Sequence, residues 1–381
     1  MARALGGLLV VDLSTHLSGP YCTMLLADMG AEVIKVERPG RGDEARAMPP
    51  FVDGRGAPFD LWNRGKRSIA LDAKQPGDLA LLRRMVARAD ILVENFRPGT
   101  LARMGLPWEM LQQANPRLIL ASISGFGQHG PLSGHGGFDL MTQGLAGLMA
   151  GNGPAEGDPH RLPIAISDLT AGMQACIAIL AALNARHESG RGQRVEASLF
   201  GSALSLGVYE AAHVLALGTR PDRMGQAHRG NAPYQAFQAA DGWITVGAAQ
   251  PHFWTALCGI VEMPDLLADP RFATNADRVA NNMPLVALLS ARFREKPRAY
   301  WLERLEAAGI PAEPVLAYDE ALAHPQSAAL GAVTAIPGAE AGLRRTLATP
   351  FALSETPPAV RRPAPALDAD GAAIRAAFAE P

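Results

Sequence analysis

Three kinds of residue in this chain have the chemistry for covalent or acid–base catalysis: carboxylates at the ends of apolar runs, histidines in loops, and a serine flanked by glycine. Asp168 is the best placed carboxylate. It stands in Ile164-Ala165-Ile166-Ser167-Asp168-Leu169-Thr170-Ala171-Gly172, between an apolar run and a long apolar helix. A carboxylate there can be a nucleophile or a base, and it can equally be a helix N-cap and nothing more. On residue chemistry alone the cap is the commoner role for an acid at a helix start. The histidines offer less, because none of the nine falls in an HxxxH or HExxH spacing, and His129, His135 and His160 sit in loops without a paired ligand. No metal site is expected. Ser124-Gly125-Phe126-Gly127 does not match the GxSxG elbow of a serine nucleophile.

Glu37 suggests a different chemistry, since it ends a second apolar run where a dinucleotide fold places its ribose-binding acid. The glycine fingerprint that should follow the first run is missing. The chain reads Leu13-Ser14-Thr15-His16-Leu17-Ser18-Gly19-Pro20 there, which does not allow the same close backbone approach to a pyrophosphate, so a nicotinamide site is not expected.

The elements that must position these residues alternate between two periods. Residues 8–11 and 31–36 read as strands, with a helical stretch over 20–29 between them, and strand candidates at 91–93 and 118–122 each follow a helical segment, at 79–89 and 108–114. The expected fold is α/β, an open, doubly wound parallel sheet of Rossmann-like type, forming a large domain over residues 1–215. Residues 125–137 and 151–163 are loops rich in glycine and proline that precede the Asp168 helix. After Gly218 the pattern changes to a charged stretch, a strand at 243–246 behind the Asp241-Gly242 turn, and further helices, which predicts a smaller α+β domain over 222–325. The tail from 330 to 381 is rich in proline and alanine, with one helical piece at 372–378, and is expected to return to the large domain as an arm.

Composition narrows the partners. Lysine and arginine number 35 against 37 acids, a formal net charge of -2, so no excess positive charge points to nucleic acid or a membrane surface. Cys22, Cys176 and Cys258 are odd in number and share no CxxC spacing, which disfavours a disulfide framework and fits a reducing, cytoplasmic setting. The apolar run at the N-terminus is too short for a signal peptide, and the most apolar stretch, 173–183, reads as a buried helix too short to span a bilayer.

A set of motifs carries the functional reading. They are His16-Leu17-Ser18-Gly19-Pro20 with Gly30 through Glu37 (GAEVIKVE); Asn63 through Asp72 (NRGKRSIALD); Glu94-Asn95-Phe96-Arg97-Pro98-Gly99; Asn115-Pro116-Arg117-Leu118; Ser124-Gly125-Phe126-Gly127; Gly137-Phe138-Asp139-Leu140; the Ser167-Asp168 helix start; and Gly190-Arg191-Gly192-Gln193. Together they resemble the class III CoA-transferase family, which includes formyl-CoA transferases and, as a sister branch, the alpha-methylacyl-CoA racemases. The match runs from about residue 5 to 255 and weakens beyond. The resemblance implies that Asp168 is a nucleophile, and that coenzyme A passes from an acyl-CoA to a carboxylic acid through anhydrides and an aspartyl-CoA thioester. Coenzyme A then enters only as part of the substrate, with no separate cofactor. It also implies that Ser18, Arg38, Leu71, Lys74, Asn95, Phe96 and Arg103 contact coenzyme A, and that Gly136, Gly137 and Phe138 border the substrate pocket. Without the resemblance each of these cations reads as a solvated surface charge. The glycine-bearing loops at 125–137 and 225–230 are candidate covers, and backbone amides at the Asp168 helix start are candidate oxyanion donors. Family members form interlocked homodimers, and the same assembly is expected.

The racemase branch has a histidine before the aspartate of its Gly-His-Asp motif and a glutamate before a Pro-x-Phe. These positions are Phe138 and Gln250 here, and neither side chain can exchange a proton, so transfer is preferred to racemisation or epimerisation. The chain also departs from formyl-CoA transferases. It lacks their glutamine at or next to Leu17, it has Met224 through Asn231 (MGQAHRGN) in place of a glycine run, and it has Ala366-Leu367-Asp368-Ala369-Asp370 in place of Gly-Glu-His. The first two departures weigh against formyl and oxalyl substrates. A non-catalytic protein that binds coenzyme A is the third reading, against which intact Asp168 stands.

Overall fold

A computed structural model describes residues 2–380 and divides into two compact units, one of residues 2–148, 161–211 and 325–380, the other of residues 149–160 and 212–324. The first unit is built on six strands: β1 (Leu9–Asp12), β2 (Glu32–Glu37), β3 (Arg67–Ala70), β4 (Ile91–Glu94), β5 (Ile119–Ser124) and β6 (Arg194–Ser198). They lie in the order β3-β2-β1-β4-β5-β6, and every pair is parallel. The doubly wound α/β sheet expected from the sequence is therefore present. Residues 67–70 and 194–198, not read as strands from the sequence, form its two edges.

Alternation along β1 shows how the sheet is covered. Val10 packs into a cluster with Cys22, Leu25 and Leu26 of α1 (Ser18–Asp28) and with Ala175, Ile179 and Leu183 of a long later helix. Val11, one residue on, faces the opposite cluster, with Leu81, Leu82, Met85 and Val86 of α2 (Pro76–Arg88) and with Ile374 and Phe378 of the C-terminal arm. Successive strand side chains point to opposite faces, so one strand serves both layers.

Two further helices matter to the site, α3 (Asp139–Leu145) and α4 (Ile166–Ser189). The buried side of α4 is a stripe of Gly172, Ala175, Cys176, Ile179, Ala182, Leu183 and Arg186, and the helix stops at Gly190 with φ 68°, as helices ending in a left-handed glycine do. At 24 residues it is longer than the sequence suggested, long and apolar enough to cross a bilayer by length and composition, but half of its most apolar window is buried in the protein. That burial is the mark of a core helix.

The arm closes the edge of the sheet. Asp370 Oδ2 accepts the Ser68 N–H at 3.0 Å and Asp368 Oδ1 accepts the Ala70 N–H at 2.8 Å, so carboxylates occupy backbone donors that an edge strand leaves open. The motif that replaces the family's Gly-Glu-His segment thus docks on β3. In the second unit, β7 (Tyr234–Ala239), β8 (Gly242–Gly247) and β9 (Ala312–Pro314) form an antiparallel sheet. Its core includes Phe237, Ile244, Trp254, Phe293 and Trp301. Buried Arg278 ties the unit together through the carbonyls of Ala232, Phe272 and Ala249.

Candidate active site

Asp168 is the third residue of α4, and the N-cap, Ala165, has no side chain able to cap. The missing cap comes from elsewhere in the chain. Asp139 Oδ1 accepts the Ser167 N–H at 2.9 Å, while Asp139 Oδ2 accepts from Gln143 Nε2 at 2.7 Å. Gln143, fully buried, holds the approach to α4 with its other contacts: it accepts the Leu162 N–H at 2.8 Å and donates to the Ile164 carbonyl at 3.3 Å. The capping role available to Asp168 is thereby filled by Asp139, and the Asp168 carboxylate is left for something else.

The rest of the first turn is also committed. Ile166 N–H bonds the Ile164 carbonyl and Leu169 N–H bonds that of Ala165, with Ser167 N–H on Asp139. Among the described residues this leaves the N–H of Asp168 itself as the first-turn backbone donor without an acceptor.

Burial pushes the Asp168 carboxyl up, the negative charge of Asp139 adds to the push, and a hydrogen bond from the Ser18 side chain opposes them; the outcome is about 6. Loss of solvation and a neighbouring like charge both disfavour ionisation. Ser18 opens α1 and is buried. A Cβ on Gly172, one turn beyond Asp168, would lie 2.6 Å from the Ser18 carbonyl oxygen. Glycine at 172 is what lets α4 approach α1 closely enough for Ser18 to reach the carboxylate.

The loop that leads to Ser18 is fixed from two sides. Asn95 Oδ1 accepts the Thr15 N–H at 2.9 Å, and Asn95 Nδ2 donates to the Thr15 carbonyl at 2.7 Å. His16, with φ 61°, donates its N–H to Asp43 Oδ1 at 3.1 Å. Asp43 in turn meets Lys35 at 2.8 Å, and Lys66 meets Asp12 at 3.0 Å, all four side chains fully buried. Burial would raise Asp12, but Lys66 and Lys35 bring it down to about 2. Burial lowers Lys66 to about 8 against the pull of Asp12. This buried lattice holds the ends of β1 and β2 rigid beneath the loop, with each charge paired.

Beyond the carboxyl ends of β1 to β4 lies a cleft of about 690 Å³ whose lining includes Thr15, Arg38, Leu71, Lys74, Phe96 and Thr100. It opens where the chain reverses its direction of strand addition, between β1 and β4, the usual ligand position in open α/β sheets. Four of the residues expected to contact coenzyme A, Arg38, Leu71, Lys74 and Phe96, meet there. Ser18 stands instead beside Asp168, three residues along the loop from Thr15. Asn95 is behind the wall, its amide committed to Thr15. Arg103 does not line the cleft; its guanidinium bonds Thr100 Oγ1 at 2.7 Å, and Thr100 does.

Gly136, Gly137 and Phe138 form the strip that leads into Asp139. A Cβ on Gly125 would sit 2.6 Å from Gly137 Cα, so the two ends of the 125–137 loop touch backbone to backbone. Phe138 is 64% exposed and stands edge-on to the His16 ring at 6.4 Å. Residues 225–230 belong to the second unit, as does Gln250, which precedes the helix Pro251–Ile260.

The sequence reading missed the parts played by Asp139 and Gln143. Asp139 lies inside a recognised motif, but the contact that defines its part joins it to Ser167, distant in sequence.

The model of CoA-transferase family III matches residues 5–371. The chain belongs to that family. An acetyl-CoA:oxalate CoA-transferase of Acetobacter aceti is 40% identical over 98% of this chain and 96% of its own length. A succinyl-CoA:glutarate CoA-transferase of Mus musculus is 40% identical over 82% of this chain and 72% of its own. In structure, a CAIB/BAIF family protein from Brucella suis superposes with a TM-score of 0.89 at 38% identity, covering 99% of this chain and 100% of that one. The protein is accordingly a CoA-transferase acting on acyl-CoA and carboxylate substrates.

Proposed function

We propose that Asp168 carries the transfer covalently, and that the acids exchanged are dicarboxylic. The observation that bears most on the first point is the carboxylate itself, relieved of capping by Asp139 and held near pH 6 by burial and a like charge. A carboxylate that ionises reluctantly is a better nucleophile once ionised. An Asp168 oxygen attacks the acyl-CoA carbonyl; the C–S bond breaks, leaving a mixed anhydride and CoA thiolate. The thiolate attacks the aspartyl carbonyl of the anhydride, expelling the donor acid as its carboxylate and leaving aspartyl-CoA. The acceptor carboxylate then attacks that thioester, giving a second anhydride and thiolate again. Attack of the thiolate on the acceptor's acyl carbon yields the new acyl-CoA and restores the Asp168 carboxylate. No net proton, nucleotide triphosphate or metal enters the balance.

The cleft suits coenzyme A. Arg38 and Lys74 offer cations to phosphates, Phe96 and Leu71 offer apolar surface to adenine, and Thr15 leads from that cleft to Ser18 and Asp168. The dicarboxylic class follows the relatives named for oxalate and glutarate. The interlocked homodimer remains part of the proposal, supported by apolar side chains exposed on the single chain along α4 and residues 199–217, among them Ile177 and Leu215, the latter 87% exposed. The three cysteines, unpaired and buried, suit the reducing cytoplasm.

The test is an acceptor screen. Succinyl-CoA supplied with dicarboxylic and monocarboxylic acids of matched length should yield new acyl-CoA with the former. Exchange of the alpha proton with deuterated water in a branched acyl-CoA, without acid exchange, would favour the racemase reading instead.

A further inference from the structure

At the amino ends of β1, β2 and β3, the opposite end of the strands from the cleft, lies a second cavity of about 440 Å³ whose lining includes Arg3, Glu32, Arg67, Arg361 and Arg362. β2 measures its distance from the cleft. Glu32, the first residue of that strand, lines this cavity and Glu37, the last, lines the cleft; five rises of extended chain put them about 17 Å apart. The two cavities are separate places in the first unit.

Three segments of the chain bring the four guanidinium groups together. The stem of Arg3 crosses Gly30, where φ is 108° and a Cβ would meet Arg3 Cβ at 2.5 Å and Cδ at 3.0 Å. Arg67 opens β3. Arg361 and Arg362 stand where the arm is tied down on both sides, the Ala359 N–H donating to the Asp28 carbonyl at 2.9 Å and the Gly65 N–H to the Arg362 carbonyl at 3.0 Å.

The acids do not balance these cations. Glu32 pairs with Arg67 at 2.7 Å, and Asp370 stands 3.4 Å from Arg67 and 4.0 Å from Arg362. Among the described residues neither Arg3 nor Arg361 forms an ion pair. Asp28, whose charge also reaches Arg361, is paired with Arg64 at 2.7 Å. Arg361 places Nη1 on the carbonyls of Ala27 and Asp28 at the end of α1 and on that of Ala359, which leaves Nε and Nη2. Burial and then the charge of Arg3 push Arg361 down; burial pushes Arg362 down, with Asp370 pulling it back and Arg67 opposing. Like charges gathered in partly buried positions cost free energy that a shared anion returns. A phosphate offers three or more oxygens and close to two negative charges, so it can meet several guanidinium forks at once, whereas a carboxylate offers two oxygens and one charge. The volume suits a small molecule rather than a macromolecule.

We propose that this cavity binds a small phosphate-bearing anion, a phosphate ester or a diphosphate, at a site distinct from the one that serves acyl-CoA.

The probe is inorganic pyrophosphate, titrated calorimetrically at about 0.15 M salt into enzyme saturated with coenzyme A, so that the phosphate contacts of the cleft are already taken. The expected result is one pyrophosphate bound per chain, not displaced by glutarate. Arg3→Gln should weaken it on the order of tenfold, Arg3→Lys, which keeps the charge, should weaken it less, and both should keep the wild-type KM for acyl-CoA. Without pyrophosphate, Arg3→Gln should unfold no earlier than the wild type, because it removes a like charge beside Arg361; with pyrophosphate, it should gain less in Tm than the wild type does. Pyrophosphate that binds only when coenzyme A is left out, that binds Arg3→Gln as tightly as the wild type, or that glutarate displaces would overturn the assignment.

Discussion

Asp139 accepts the Ser167 backbone N–H at 2.9 Å, so the group that caps the α4 helix is also the negative charge that, after burial, does most to raise the Asp168 carboxyl. One side chain therefore sets both where the Asp168 carboxyl stands and when it ionises. The two roles can be separated by substitution.

The first prediction concerns pH. With Asp168 raised from 3.8 to about 6 in the folded enzyme, the proposed attack by its carboxylate should fail below that value and proceed above it. The pH profile of kcat/KM for acyl-CoA should fall tenfold per unit on its acid side, with the bend near 6. A flat profile down to pH 4.5 would show that a group other than Asp168 attacks.

Asp139→Asn should move that bend to lower pH, because the substitution removes the like charge and keeps an oxygen for the Ser167 N–H. Asp139→Ala removes both. It should show the same shift together with a loss of about 1 kcal/mol in stability from the uncapped helix. If the bend stays in place in both variants, the charge of Asp139 does not act on Asp168.

Stability should respond to Asp168 in the opposite sense to activity. A carboxyl whose folded value lies above its unfolded one favours folding below pH 3.8, and the benefit is lost as the pH rises through 6. Above that pH, ionised Asp168 costs the fold free energy. Asp168→Asn should thus raise the unfolding free energy by about 1–2 kcal/mol at pH 7.5, reduced from the full shift because the side chain is partly open to water. The gain should vanish by pH 4. Thermal unfolding of the two proteins across that range is the check, and a variant destabilised at pH 7.5 would contradict it.

What the sequence disclosed and withheld follows from where each signal lies. β1 and β2 were legible because their apolar runs are buried within a parallel sheet, as was α1 between them. β3 reads Arg-Ser-Ile-Ala and β6 reads Arg-Val-Glu-Ala-Ser; these are edge strands, short and partly polar, held by a neighbour and, for β3, by the carboxylates of the returning arm. Their strand character comes from tertiary partners rather than local propensity. The same divide runs through the site. Asp168 looked like a cap until its motif was set among the others, and the residue that does the capping lies 28 positions upstream of Ser167. Asn95 reads as a ligand contact within its motif, yet its amide reaches back 80 residues to Thr15. Lys35 and Lys66 gave no sign of being fully buried, since a lysine's burial is decided by an acid that another segment supplies.

The covalent role of Asp168 is tested most directly by trapping. The enzyme is mixed with succinyl-CoA and quenched with borohydride, which reduces an aspartyl thioester to homoserine, and its peptides are mapped by mass spectrometry. The expected result is homoserine at position 168, dependent on the donor and absent from Asp168→Ala, which also loses transfer. Transfer that proceeds with residue 168 unmodified, or that survives in Asp168→Ala, would contradict the account.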